Sequence, residues 1–153
     1  MKTENTHDSV AITVVDISRL LRKRFEAHLA EIDTGVTVAE ARTIAFILRF
    51  SGLRQSSLAE RMSVEPMTLV GYLDSLEKAG LIQRVTDPSD RRAKLVTLTE
   101  AAAPVADKIR QASKLLQDEI LMNISEDRRN ELTNLLFQIK DNLLGTVNCE
   151  GQK

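Results

Sequence analysis

Residues 84–100 read RVTDPSDRRAKLVTLTE, and this stretch decides how the chain is expected to fold. Apolar and polar residues alternate on both sides of its centre, which predicts two short strands, and Pro88 predicts a turn between them. From residue 84 to residue 94 there are four basic and two acidic side chains, a local net charge of +2. Such a tip is either a turn that is charged because water surrounds it, or a surface that binds an anionic partner.

Helices are predicted on both sides of this ribbon by apolar residues that recur every three or four positions. Thr37 with Glu40 forms a capping box, Pro66 suits a first helical turn, and Thr99 is expected to cap the next long helix. The helices are predicted at residues 10–32, 37–50, 55–62, 66–78, about 99–122, and from 125 onward. Two short helices followed by a two-stranded ribbon outline a winged helix-turn-helix.

The predicted fold class is therefore mainly α (α+β), a winged helix-turn-helix with long helices that form a dimerisation domain. We expect residues 37–99 to be the winged helix-turn-helix. Residues 1–36 and residues 100–153 are expected to supply dimerisation helices, because so small a middle domain cannot bury all of their apolar stripes. The expected assembly is a homodimer.

Composition limits the classes of function. The chain has 153 residues, 28% of them charged, and a formal charge of −1, so any anion-binding surface must arise from local clustering. No apolar run approaches the roughly 20 residues of a membrane span, and MKTENTHDSV lacks the features of a signal peptide. We expect a cytoplasmic protein without a membrane partner. The lone Cys149 fits a reducing compartment.

Residues 56–104 carry a resemblance to a known family. In order, they contain Leu73-Asp74, Leu76-Glu77, Gly80-Leu81-Ile82, Asp90-x-Arg92 and Leu98-Thr99, followed by Pro104. This order and spacing resemble the DNA-binding core of the MarR family of bacterial regulators, and within it most closely the SlyA branch. The resemblance implies a homodimeric transcription regulator, expected to be a repressor, that binds double-stranded DNA at a pseudo-palindromic operator. It also implies that a small phenolic or aromatic carboxylate effector weakens that binding.

The charged tip is then expected to be the wing. Because arginine is attracted into the narrow minor groove of A·T tracts, we assign Arg92 to the minor groove. Asp90 is expected to orient the guanidinium of Arg92 through charge-assisted hydrogen bonds. Arg91 and Lys94 are expected to contact phosphates.

The helix at 66–78 is expected to bury Leu69, Leu73 and Leu76 on one stripe. It is expected to enter the major groove, with Met67, Thr68 and Tyr72 among its exposed residues. Well-known relatives carry arginine where this chain has Gly71, and arginine paired to guanine is the commonest specific base contact. Gly71 is either a tolerated substitution or a point of close backbone approach to DNA.

Phosphate anchoring is expected from Arg54, Ser56 and Ser57, near the start of a helix. Helix capping is the competing role of these three residues. Between residues 49 and 94 there are eight basic and six acidic side chains, so this segment carries +2 and the remainder −3. The asymmetry has the sign that a nucleic-acid surface needs, but it is small.

An effector pocket in this family would lie between the dimer helices and the winged domain. The expected lining consists of Phe25, His28, Arg42 and Phe46. Aromatic side chains would pack against the ring of the effector, and a cationic side chain would pair with its carboxylate. A purely structural histidine is the competing interpretation of His28. Thiol-based peroxide sensing by Cys149 is disfavoured, since the reactive cysteine of such relatives lies near the N-terminus.

Two other classes of function compete with a DNA-binding regulator. An enzyme is disfavoured because the sequence contains no nucleophile elbow, P-loop or metal signature, and His7 and His28 are far apart. We expect no cofactor and no metal. The other class is a winged-helix module for protein association, in which Gly71 marks lost base reading. Salt-sensitive duplex binding would discriminate it from a DNA-binding protein.

Overall fold

The computed structural model describes residues 9–149 of the chain. The N-terminal residues considered for targeting, with His7, lie outside the described residues, and so does the side chain of Cys149. The elements, in order, are α1 (Val10–Glu31), α2 (Val38–Arg49), α3 (Gln55–Met62), α4 (Pro66–Lys78), β1 (Ile82–Asp87), β2 (Asp90–Leu98), a 3-10 turn (Glu100–Ala102), α5 (Ala103–Ile120) and α6 (Glu126–Cys149). The predicted fold class, mainly helical with one small antiparallel ribbon, is confirmed.

The start of α2 shows how local chemistry sets an element boundary. The hydroxyl of Thr37 accepts a hydrogen bond from the Glu40 backbone N–H at 3.2 Å, and a Glu40 carboxylate oxygen accepts one from the Thr37 N–H at 2.8 Å. This is the predicted capping box, which satisfies two backbone donors that have no partner within the helix. A second capping residue, Ser9, accepts from the Ile12 N–H at the start of α1.

The start of α5 differs from the prediction. Thr99 was expected to cap the long helix, but its hydroxyl donates to the carbonyl of Gly80 at 2.5 Å. A 3-10 turn then intervenes, and the α-helix begins at Ala103 with Pro104 in its first turn. Proline is tolerated there because a first-turn N–H has no intrahelical acceptor. Pro104 therefore falls at the helix start and does not interrupt the helix.

The chain divides into two units, one up to Leu116 and one from Gln117 onward. In the first unit, α4 packs on α2 and on β1 and buries the predicted stripe of Leu69, Leu73 and Leu76. These side chains are at most 1% exposed, and Ile44 and Ile82 of the same core are at most 2% exposed. Because full burial of one such side chain stabilises by about 1.5–3 kcal/mol, this stripe fixes the orientation of α4.

The ribbon has an irregular register at its tip. Ile82 pairs with Leu98, and pairing continues regularly to Thr86 with Lys94, after which Asp87 pairs with Asp90. Residues 91–93 of β2 therefore lie between two paired positions, with no residue of β1 to match them. A bulge of this kind leaves extra residues unpaired and re-aims their side chains. The strands enclose a turn of only two residues, shorter than the sequence pattern indicated.

In the second unit, α6 presents an apolar ridge to solvent. Its exposed large apolar residues are Leu132, Leu135, Leu136, Phe137, Ile139, Leu143 and Leu144. In the first turn of α6, the guanidinium of Arg129 donates to the carbonyls of Ile124 at 2.6 Å and Leu121 at 2.8 Å. These bonds satisfy carbonyls in the turn between α5 and α6. Across residues 9–149 we find no helix whose length and apolar character would let it cross a bilayer.

Candidate nucleic-acid interface

The outer surface of α4 is uncharged near its N-terminus. Met67 is 78% exposed, which is unusual for a large apolar side chain, and Thr68 beside it is also exposed. Gly71 lies one turn further on, and a Cβ atom added there would meet no heavy atom within 4 Å. Together these three residues, which we call the α4 patch, leave the helix backbone open to close approach.

Two other polar residues of α4 are directed elsewhere. Tyr72 is half-buried, packs against the core and interacts electrostatically with Arg42 on α2. Ser75 hydrogen-bonds the carboxylate of Glu40, whose pKa is lowered because this bond and those with Thr37 outweigh the raising effect of burial. The sequence prediction placed Tyr72 among the exposed residues of α4, and the structure has its ring half-buried against the core.

Arg84 fastens α4 to the ribbon. Its guanidinium lies 2.6 Å from carboxylate oxygens of both Asp74 and Glu77, and its backbone N–H donates to Glu77 at 3.2 Å. Hydrogen bonding from Arg84 lowers the pKa of Glu77. Arg84 was counted in the charge of the tip, but its charge is balanced by α4. The cations that remain exposed at the tip are Arg91, Arg92 and Lys94.

Arg91 and Arg92 occupy the bulge of β2, and both are exposed. The predicted contact between Asp90 and the guanidinium of Arg92 takes another form. A carboxylate oxygen of Asp90 accepts from the backbone N–H of Arg92 at 3.0 Å, while the other lies 3.6 Å from the Arg54 guanidinium. Asp90 therefore shapes the backbone that carries Arg92 and does not hold its side chain.

A polar network, which we call the wing clamp, joins the base of the wing to the start of α3. Asp87 accepts hydrogen bonds from the Ser89 N–H at 2.8 Å, the Ser89 hydroxyl at 2.7 Å and the Arg54 Nε at 2.7 Å. The bonds from Ser89, followed by those from Arg54, hold the pKa of Asp87 below its ordinary value although burial opposes this. Arg54, expected to contact phosphate, is thus engaged in ordering the wing.

Three further residues that were expected to contact phosphates are not held by carboxylates. Lys94 is exposed and donates to the Thr86 hydroxyl at 2.9 Å, which leaves two of its ammonium hydrogens to other acceptors. Ser56 is exposed and Ser57 half-buried in the first turn of α3. The competing capping role is not observed for them, because the N-cap of α3 is Arg54, which in the described structure makes no side-chain cap bond.

A cleft of about 740 Å³ lies between α1, α2 and the end of α3. Phe25, Arg42 and Phe46 line it, as the effector prediction expects. His28 does not line it, since it is buried on α1, at 9% exposure. Burial on the inner face of a helix explains this difference and favours the structural interpretation of His28.

The cleft is rich in arginine beyond the one predicted. Its five guanidinium groups belong to Arg19, Arg22, Arg42, Arg49 and Arg61. Glu26 lies 3.1 Å from Arg22 and 3.9 Å from Arg42, and Asp16 lies 3.7 Å from Arg19. Five cations against these two carboxylates leave a surplus of three positive charges. The pKa of Arg42 is lowered, first by burial and then by the neighbouring Arg22.

Several of these features carried a signal that sequence reasoning did not use. Arg22 and Phe25 are three residues apart on α1, and Arg42, Phe46 and Arg49 follow at steps of four and three on α2. Such spacing places side chains on one helix face. The bond between Arg54 and Asp87 spans 33 residues, and no local pattern could have indicated it. Within the described residues, no group of three or more His, Cys, Asp or Glu side chains is placed to hold a metal ion.

Comparison with known proteins agrees with this geometry. Residues 36–94, which hold the helix-turn-helix and the wing tip, match the family model described as MarR family. These residues are therefore similar to a MarR family domain. They include the α4 patch, the wing clamp and the bulge, whereas α1, α5 and α6 lie wholly beyond the match.

Solved structures extend this likeness to most of the chain. A transcriptional regulator of the MarR family from Silicibacter pomeroyi is 25% identical, with a TM-score of 0.72 over 86% of this chain and 90% of that one. CouR from Rhodococcus jostii RHA1, solved bound to p-coumaroyl-CoA, is 25% identical with a TM-score of 0.64 over 86% and 92%. MarR from E. coli is 23% identical with a TM-score of 0.66 over 85% and 95%, which shows a shared fold.

Proposed function

We propose that the protein is a homodimeric, DNA-binding transcription regulator that acts as a repressor at a pseudo-palindromic operator. The observation that carries the proposal is the bulge in the wing of the MarR domain. It presents Arg91 and Arg92 to solvent, while Arg84 and Arg54 are held by carboxylates. The two arginines are free to contact DNA, and hydrogen bonds within the wing hold the backbone that carries them. Such side chains can insert into a narrow minor groove, where the negative potential is high.

In this proposal the residues divide by the part of the duplex they contact. Arg92 enters the minor groove, and Met67 and Thr68 face base edges in the major groove. Arg91, Lys94, Ser56 and Ser57 contact phosphates. Asp90 and Arg54 act through the wing backbone, whose shape they hold. Tyr72, packed inward, supports α4 from behind.

Dimerisation is proposed through the outer helices, α1 with α5 and α6. On α1 the residues Val10, Val14 and Ile17 follow one another at steps of four and three, and all are exposed. On α6 the apolar ridge is exposed as well. Pro104 in the first turn of α5 supports placement in the SlyA branch, together with the motif order that suggested that branch.

Selection of duplexes from a random-sequence pool, followed by sequencing, tests the function directly. We expect an enriched inverted repeat with half-sites about one helical turn apart, because two recognition helices of a dimer enter successive major grooves. Affinity for the enriched duplex should fall steeply between 50 and 200 mM salt, as phosphate neutralisation releases counterions. Absence of enrichment together with salt-independent binding would favour the protein-association module.

Substitution of Arg92 tests the wing. Arg92→Ala should lower operator affinity by about 5- to 150-fold, equivalent to roughly 1–3 kcal/mol. Arg110→Ala is the matched control, since Arg110 is exposed on α5 and pairs with Asp107 at 2.6 Å within its own helix. Equal effects of the two substitutions would show that general charge, and not the wing, determines affinity.

A second function, response to a small aromatic anion, is favoured by the arginine-rich cleft. Phe25 and Phe46 supply apolar and aromatic surface, and the surplus of positive charge attracts an acid. The ligand printed for CouR, p-coumaroyl-CoA, is an aromatic thioester with several anionic groups. Salicylate and p-coumaroyl-CoA should each raise the melting temperature and lower DNA affinity. No shift with either compound at millimolar concentration would remove this function.

A further inference from the structure

The geometry points to thymine methyl groups as the feature of the operator that the α4 patch reads. This inference rests on the proposed function, because it requires α4 to lie in the major groove. Met67 and Thr68 are assigned as the specificity-determining residues, with Gly71 admitting the base edge close to the helix. The chemistry of the patch, taken group by group, leads to this assignment.

The first observation is that the α4 patch exposes apolar groups. Residues near the N-terminus of a recognition helix are the ones that contact base edges. There, the Met67 side chain is 78% exposed and entirely apolar, and Thr68 presents a methyl group and a hydroxyl. In the major groove, the one apolar group on any natural base is the C5-methyl of thymine, and threonine methyl groups commonly contact it. Burying Met67 against that methyl removes apolar surface of both partners from water.

The second observation is that the α4 patch has no cationic side chain. Guanine offers two acceptors, N7 and O6, which are read by a donor fork such as arginine or by lysine. Lys78, at the last position, is the one cation in the sequence of α4. Arg84, whose guanidinium packs against the helix, donates to carboxylate oxygens of Asp74 and Glu77, each 2.6 Å away. Neither is placed to read guanine from the N-terminal half of α4.

The third observation concerns space. Gly71 lies four residues after Met67 and three after Thr68, so the three share one face of the helix. Nothing lies within 4 Å of where its Cβ would be, so packing within the chain does not require glycine at this position. Because Gly71 has no side chain and the space around it is open, a base edge can approach the helix backbone closely at this point. A methyl group projecting from that base edge would then lie beside Met67 and Thr68.

Replacing thymine by deoxyuridine in the selected duplex tests the inference, because this change removes the methyl group and keeps every hydrogen-bonding group. At one or two thymines in each half-site, we expect affinity to fall about three- to fivefold, the size that one buried methyl group supplies. The same replacement should have little effect on Met67→Ala protein. Met122→Ala, which alters an exposed methionine in the second unit, is the control and should retain the full response.

Replacing guanine by 7-deazaguanine, which lacks the N7 acceptor, supplies the opposing measurement. We expect unchanged affinity at every guanine in the half-sites. A loss at guanine with no response to deoxyuridine would overturn the inference, and the proposed function would stand. Enrichment of no sequence would also overturn it, since no base is then read. In that case salt-dependent binding to random duplex would decide whether the proposed function fails as well.

Discussion

Gly71 and Gly80 allow one substitution to be compared in two backbone conformations. A Cβ added at either position meets no heavy atom within 4 Å, so steric contact does not distinguish them. Gly80 has φ +74°, in the left-handed region, whereas Gly71 lies within regular helix. Gly71→Ala should raise the free energy of unfolding by about 0.5–1 kcal/mol, because alanine loses less conformational entropy in a helix. Gly80→Ala should lower it by roughly 1–2 kcal/mol.

Urea unfolding at fixed protein concentration checks both values, since the apparent stability of a dimer depends on concentration. A stabilised Gly71→Ala protein with weakened operator binding would mean that glycine is retained for DNA. A destabilised one would contradict the structure of α4.

Arg42 and Arg22 line the same cleft but should contribute differently to stability. Arg42 is 9% exposed and donates to the Met62 carbonyl at 2.7 Å, whereas Arg22 is exposed and pairs with Glu26 within α1. Arg42→Met leaves a buried carbonyl without its donor and should cost about 1–3 kcal/mol of unfolding free energy. Arg22→Met should cost at most about 0.5 kcal/mol. Thermal and urea unfolding of the two variants measure the contrast, and equal losses would show that Arg42 has no special structural role.

At the scale of elements, the wing clamp predicts a dependence of stability on pH. The pKa of Asp87 is lowered in the folded protein by Ser89 and then by Arg54. A carboxyl with a lowered folded pKa contributes stability above its unfolded pKa, about 3.9, and loses it as pH falls through the folded value. Asp87→Asn should therefore be less stable than the unchanged protein at pH 7. The difference between them should shrink below about pH 4.

Urea unfolding at pH 7, 4 and 3 tests this dependence on both proteins. Asp33→Asn is a suitable control, because Asp33 is an exposed carboxylate whose hydrogen bond to the Gly35 N–H lies outside the wing. Parallel stability curves for the unchanged protein and Asp87→Asn would contradict the clamp.

The elements themselves were predictable to within a few residues, for physical reasons. Apolar periodicity located the helices, because each must bury one face, and Leu69, Leu73 and Leu76 do so as expected. The start of α5 was missed because the Thr99 hydroxyl is oriented by donating to the Gly80 carbonyl, 19 residues earlier in the chain, and a 3-10 turn follows Thr99. Contacts between residues that are far apart in the chain produce no periodic pattern in the sequence.

The candidate site was predicted less completely than the fold. Residue type and family spacing identified the tip, but charge counting could not tell which cations were already paired. Arg84 and Arg54 are engaged by carboxylates that only folding brings near them, and Tyr72 turns inward. The bulge that exposes Arg91 and Arg92 depends on strand register.

At the scale of the whole molecule, the exposed apolar surface of the outer helices must be explained. Isolated exposed apolar residues are ordinary, but seven on α6 and six on α1 form sustained stripes, which mark an interface. A second copy of the chain is the partner that a palindromic operator requires, because two-fold symmetry in the protein matches two-fold symmetry in the DNA. Light scattering at micromolar concentration should give twice the chain mass of 17.1 kDa.

Introducing charge on the α6 ridge should separate dimerisation from DNA contact. Leu136→Glu places a carboxylate in the proposed apolar interface, where its desolvation is unfavourable, whereas Gln138→Glu adds the same charge at an exposed polar position of α6. We expect Leu136→Glu to shift the mass toward the monomer and to lower operator affinity at least tenfold, while its affinity for random duplex changes little. Gln138→Glu should behave like the unchanged protein. A dimeric Leu136→Glu protein with full operator affinity would mean that α6 lies outside the interface.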